Sequence, residues 1–161
     1  MNKQQIIESL GLEAHIEGGY FRRTFEASHR ERIQTARGER FSFTSIYYLL
    51  TDDSPIGHWH LNQSDIFHAY HLGNPITYYL LHPSGELEVK VLGPDLQAGQ
   101  ELQFVVPGGV WKASELTQGQ YGLISEAVVP GFDFADMQLA TESQLIEEYP
   151  QYIDIVKRYC R

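Results

Sequence analysis

Between residues 20 and 129 the chain is a succession of short β-branched and aromatic runs cut by turns that contain Gly or Pro, with no helical stretch long enough for a crossover. Residues 41–50 are apolar or β-branched almost throughout, as in a strand buried on both faces. Residues 75–81 are similar. Glu86-Leu87-Glu88-Val89-Lys90-Val91 alternates, so that one face meets water. Pro83-Ser84-Gly85 before it is a hairpin turn. Further strands are predicted at 20–25, 66–72, 102–106, 110–115 and 121–129. About eight short strands joined by tight turns make a sandwich or a barrel, not a parallel sheet.

Helices are confined to the two ends. Asn2 caps a helix through Leu10, with Ile6, Ile7 and Leu10 on one face and Gly11 as its stop. Thr141 with Gln144 reads as a capping box, and Tyr149-Pro150 breaks that helix and starts another. Ile153, Val156 and Tyr159 then face inward at helical spacing. The expectation is an all-β fold with short N-terminal and C-terminal helices, one domain over residues 1–161.

Charge excludes some functions. A net charge of −9 opposes nucleic-acid or anionic-membrane binding, which needs a basic face. With 42% hydrophobic and 20% charged residues the chain has a folded core. No apolar run approaches the ~20 residues of a membrane span. The start, Met1 to Gln5, lacks the apolar stretch of a signal peptide. The single cysteine, Cys160, forms no internal disulfide and has no histidine near it in sequence. These features predict a soluble, cytoplasmic protein with neither nucleic acid nor membrane as partner.

Four histidines, His58, His60, His68 and His71, crowd one segment. On a strand His58 and His60 would share a face. Two imidazoles with a carboxylate and a third imidazole from neighbouring strands can build a metal site in an antiparallel barrel. The plainer reading is ordinary hydrogen-bonded histidines, since H-x-H alone is a weak signal.

Gly57-His58-Trp59-His60, then Asp65 and Gly73, resembles the first motif of the cupin superfamily, and Val106-Pro107-Gly108-Gly109-Val110-Trp111 resembles the second. A branch of small single-domain cupins without an assigned activity is similar at His15-Ile16-Glu17-Gly18-Gly19-Tyr20-Phe21-Arg22, Ser45-Ile46-Tyr47-Tyr48-Leu49-Leu50 and Val129-Pro130-Gly131-Phe132-Asp133-Phe134. The resemblance implies a jelly-roll barrel, in a superfamily that includes deoxysugar-nucleotide epimerases, auxin-binding proteins and seed storage proteins. Fold alone does not choose among these functions.

Departures from the pattern bear on cofactors. Lys112 stands where the second motif places a histidine, and an ammonium offers a metal no lone pair. Counting forward from His60 selects Asp65 as the motif's acid; counting back from Gly73 selects Ile66. One residue on a strand separates opposite faces. If Ile66 points inward, His68 and Tyr70 do too, and His58, His60 and His68 become the metal candidates. No cofactor is the expectation, with a divalent metal as the alternative.

The catalytic candidates are His60 as base, with Tyr47 or Tyr79 opposite. Ligand-binding candidates are Glu17, beside the flexible Gly18-Gly19 pair, with Tyr20, Arg22, His58, Asp65, His71, Trp111 and Lys112. Arg23 reads as a surface ion pair, Asp133 as a loop tie. A solvent-accessible cavity is expected with His60 on its wall, flanked by Tyr47, Tyr79 and Trp111. The first function is an isomerase or epimerase acting without a metal on a carbohydrate-like carbonyl compound. The alternatives are a non-catalytic carrier of a small ligand and a metal-dependent oxygenase. A homodimer is expected because an open jelly roll leaves edge strands to be covered. By resemblance to dimeric cupins, the strand at 20–25 does the covering.

Overall fold

Asn2 opens the first helix, α1 (Lys3–Leu10), by accepting a hydrogen bond from the Gln5 N–H while the Gln5 side chain returns one to the Asn2 N–H. Gly11, at φ 61°, ends it in the left-handed region that a glycine enters at little cost. The computed structural model describes residues 1–161. After α1 come thirteen strands: β1 (Glu13–Ala14), β2 (Tyr20–Glu26), β3 (Ile33–Thr35), β4 (Gly38–Arg40), β5 (Thr44–Thr51), β6 (Ile56–Asn62), β7 (Asp65–Gly73), β8 (Ile76–Leu81), β9 (Leu87–Leu92), β10 (Gln103–Val106), β11 (Trp111–Glu115), β12 (Tyr121–Val129) and β13 (Met137–Leu139). Helices α2 (Glu142–Glu148) and α3 (Ile153–Tyr159) close the chain, separated by a 3-10 turn that begins at Pro150. Thr141 caps α2 through its hydroxyl, as its spacing from Gln144 predicts.

Two antiparallel sheets face each other. One runs β1-β2-β5-β12-β7-β10 and the other β13-β6-β11-β8-β9; β3 and β4 form a separate hairpin. The sheets enclose a core of Tyr48, Leu50, Ile76, Tyr78, Leu80 and Ile124 among others. Each sheet is also covered outside. Helix α1 packs Ile6 against Leu49 and Leu123 of the first sheet. Helices α2 and α3 pack Leu145, Val156 and Tyr159 against Trp59, Leu81 and Trp111 of the second. This double covering explains why β5 and β8 show no polar alternation: both faces meet apolar neighbours.

The packed core fills one end of the barrel. Along β12 the inward residues run from Ile124, in the core, through Glu126 to Val128, on a cavity wall. Along β5 they run from Leu50 and Tyr48 to Ile46. The other end holds the cavity. No helix is long and apolar enough to cross a membrane.

Candidate functional site

A cavity of about 300 Å³ occupies the open end of the barrel. Half its lining is apolar: Phe21, Ile46, Ile66, Val128, Phe132 and Phe134. The polar half is His15, Glu17, Arg23, His60, Asn62 and Glu126.

Glu17 comes to the wall through a forced turn. Gly18 and Gly19 have φ of 99° and 74°, a region closed to most side chains. A Cβ on Gly18 would stand 2.0 Å from the Ile56 carbonyl oxygen. The turn is fastened where Tyr48 donates to the Gly18 carbonyl (2.8 Å) and His58 N–H donates to the Glu17 carbonyl (2.7 Å). The Glu17 side chain is 7% exposed as a residue, and its Oε2 lies 3.1 Å from His60 Nε2.

Glu17 and His60 face each other across one proton site. His60 Nδ1 sits 2.8 Å from the His58 carbonyl, so Nδ1 carries a hydrogen and Nε2 faces the carboxyl. Burial disfavours charge on either group. Desolvation raises the Glu17 carboxyl to about 8, against a weaker opposing pull from the Lys112 ammonium. Desolvation, helped by the Lys112 charge, lowers His60 to about 3. The proton therefore rests on Glu17, which donates to a neutral imidazole. His15, whose Nδ1 accepts from the Glu17 N–H at 3.1 Å, is also lowered by burial.

A second polar cluster lies deeper. Lys112 is 4% exposed and His68 fully buried. His68 gives its Nδ1 hydrogen to the Ile66 carbonyl (3.0 Å), leaving Nε2 to accept from Lys112 Nζ at 2.8 Å. Lys112 also reaches Glu126 Oε1 at 3.4 Å. Glu126 thus carries one end of a buried ion pair while facing the cavity.

Of the residues singled out from sequence, Glu17 and His60 meet on the cavity wall, with His68 and Lys112 behind them. The rest lie elsewhere. Strand β6 holds a bulge against β11: His60 is opposite Lys112 and Gly57 opposite Ser114, three steps against two. The extra residue breaks the alternation. His58 consequently leaves the cavity, its Nδ1 3.3 Å from the Tyr159 carbonyl in α3. Trp111 and Tyr79 belong to the layer under α2 and α3, where Tyr79 stacks on Tyr159 with centroids 4.8 Å apart. Tyr47 and Tyr20 pack on the opposite exterior, with α1. His71 lies edge-on to Tyr47 there, and Arg22 lies beside Gly11 on that side. Asp65 is exposed and accepts from the Gly108 N–H at 2.9 Å, while Ile66 lines the cavity. The ion-pair reading of Arg23 holds, with Glu26 at 2.9 Å, yet Arg23 also reaches the cavity. Asp133 ties its loop through the Ala135 N–H.

Four polar residues of the lining stand outside the candidates read from sequence: His15, Arg23, Asn62 and Glu126. Glu126 had a readable signal, a lone acid inside the apolar run of β12.

The donor chemistry does not fit a divalent cation at the positions where a cupin metal set would stand. His58 turns toward α3, Ile66 has no donor atom, and Lys112 presents an ammonium. The free lone pair of His60 faces the Glu17 carboxyl. His15 Nδ1 and His60 Nε2 flank the same Glu17 oxygen at 3.7 and 3.1 Å. The His15 Nδ1 lone pair is taken by the Glu17 N–H, and no group of three His, Cys, Asp or Glu side chains is placed to hold a metal ion.

The family follows from both sequence and shape. Residues 4–140 match the family described as Cupin superfamily (DUF985). The chain belongs to that family. It is 41% identical over 146 residues to Uncharacterized protein YML079W of Saccharomyces cerevisiae, covering 83% of this chain and 72% of that protein. Among solved structures, a hypothetical protein from Leishmania major superposes with a TM-score of 0.93 at 29% identity, over 99% of both chains. Protein SO0799 from Shewanella oneidensis gives 0.91 at 34% identity, over 100% of this chain and 98% of that one. Oxalate decarboxylase from Bacillus subtilis shares the cupin fold at a TM-score of 0.58 and 10% identity, matched by 91% of this chain and 36% of its own.

Proposed function

We propose that this cupin binds a small carbonyl compound in the barrel cavity and moves a proton on and off the carbon beside the carbonyl, as an isomerase or epimerase does. The observation that carries the reading is the buried Glu17–His60 pair on the wall of an otherwise half-apolar cavity. An acid near neutrality can serve in both directions of such a transfer. Magnitude decides between the two members. A base whose conjugate acid sits at about 8 is far stronger than one at about 3, so Glu17 takes the proton from carbon and His60 orients it. Glu17 does so in the ionised fraction that has released its own proton to solvent, which grows as pH rises toward 8. As the C–H bond breaks, its electron pair moves to the carbonyl oxygen as an enolate. Returning the proton from Glu17 to carbon restores the carbonyl. Asn62 supports the oxygen: its Oδ1 accepts from the Ser64 N–H at 2.8 Å, which leaves the amide nitrogen to donate into the cavity.

A second reading, a carrier that does no chemistry, is favoured by the six apolar residues of the lining. Incubating the protein with a panel of keto sugars and hydroxyketones in deuterium oxide separates the two. Proton transfer predicts loss of the α-proton signal, faster as pH rises toward 8, and at least a hundredfold slower with Glu17→Gln. Compounds that bind in the barrel and show no exchange would leave the carrier.

A further inference from the structure

Six of the eight arginines, Arg22, Arg23, Arg30, Arg32, Arg37 and Arg40, fall between residues 22 and 40, against three acids there, Glu26, Glu31 and Glu39. In a chain of net charge −9 this concentration of positive charge is local. Part of it surrounds a second hollow of about 290 Å³, lined by Arg23, Arg32, Arg40, Phe41 and Phe132 among others. Arg23, Phe132 and Phe134 line this hollow and the barrel cavity alike. The two spaces therefore adjoin, and the outer one is a vestibule to the inner.

The guanidinium groups of the vestibule differ in what they have left to offer. Arg40 is spent, with Nε and Nη2 on the Asp136 carboxylate at 2.6 and 3.0 Å. Arg23 shares its charge with Glu26 and lies over the Phe132 ring, 5.8 Å from its centroid. Arg32 lies over Phe41 at 4.3 Å and belongs to none of the chain's ion pairs. The acids lining the vestibule are engaged: Asp133 holds the Ala135 N–H and faces Arg40 at 3.8 Å, and Glu39 accepts from Gln34. Phe134 stands 70% exposed at the shared rim, edge-on to Phe132, with most of its ring open to solvent.

We propose that the ligand of the barrel cavity carries an anionic oxygen group, a phosphate or a carboxylate, which Arg32 and Arg23 hold in the vestibule while the uncharged end reaches Glu17. This rests on the reading of the cavity as a ligand site and adds the substrate class. A guanidinium held against an aromatic ring keeps its planar N–H fork for a second partner, and that fork suits a carboxylate or phosphate. Rings at the rim add a face for the body of the ligand.

A matched pair of probes tests it. 1-Naphthyl phosphate and 1-naphthol share a ring body and differ in the anion, and NMR titration of the labelled protein gives both affinities. The expected result is at least tenfold tighter binding of the phosphate, with shifts at Arg32, Phe132 and Phe134 and a preference that weakens with added salt. Arg23→Gln with Arg32→Gln should bring the two probes within twofold of each other, and Arg32→Gln alone, at a residue outside the barrel cavity, should narrow the preference while 1-naphthol binding stays as it was. Equal affinities in the unsubstituted protein, or a preference that survives the double substitution, overturns the anion site and leaves the cavity standing. Failure of both probes to shift any residue of the barrel overturns the cavity reading and the inference with it.

Discussion

Replacing Glu17 by Gln should change how stability depends on pH. Folded Glu17 gives up its proton at about 8, against an ordinary value of 4.5. Between those limits the folded chain holds a proton that the unfolded chain has released. Stability from this group is therefore present in full below 4.5 and is lost as pH rises through 8. His60 acts in the opposite sense. Its folded value of about 3 lies below the ordinary 6.5, so its contribution is complete above 6.5 and is lost as pH falls toward 3. The two slopes cancel where their windows overlap, and of the two only Glu17 acts on the alkaline side. From pH 6 to pH 8 its share comes to about 2 kcal/mol, at ~1.4 kcal/mol per unit. Urea unfolding of both proteins at the two pH values measures it. Relative to the parent, Glu17→Gln should gain about 2 kcal/mol on going from pH 6 to pH 8. A difference between the two proteins that stays constant with pH refutes the assignment of the proton to Glu17.

Three further outcomes follow from the geometry. Glu126→Gln strips Lys112 of its carboxylate inside the barrel and should cost about 3 kcal/mol in urea unfolding, the scale for breaking a buried ion pair. Gly18→Ala, with its new methyl driven onto the Ile56 carbonyl, should cost more than about 2 kcal/mol and displace Glu17; NMR shifts at His60 report the displacement. Tyr47→Phe and Tyr79→Phe should leave naphthyl phosphate binding within twofold in the same titration, because both rings lie outside the cavity.

The helices were legible because their ends carry local chemistry: Asn2 and Thr141 as caps, Gly11 as a stop, Pro150 as a break. Strands β5, β8, β9 and β12 were legible from their composition and turns. Facing was not. Tyr47, Tyr79 and Trp111 sit on strands covered on both sides, so neither parity nor apolar character distinguishes the barrel interior from the layer beneath a helix. His58 was misread for another reason. A bulge shows no mark in the H-x-H spacing, yet it turns one of the two rings away. Glu17 was legible through the two glycines after it and His60 through its motif, whereas their pairing became visible only when β6 came alongside. Very short strands such as β1 and β13 owe their existence to neighbouring strands rather than to any pattern of their own.

The protonation of Glu17 itself is open to direct observation. With glutamate side chains labelled at the carboxyl carbon, NMR follows each group across the pH range. A single carboxyl should remain protonated at pH 7, titrate at about 8 and vanish from the spectrum of Glu17→Gln. If every glutamate carboxyl is ionised by pH 6, Glu17 does not hold the proton, and the acid–base centre assigned to this barrel is wrong.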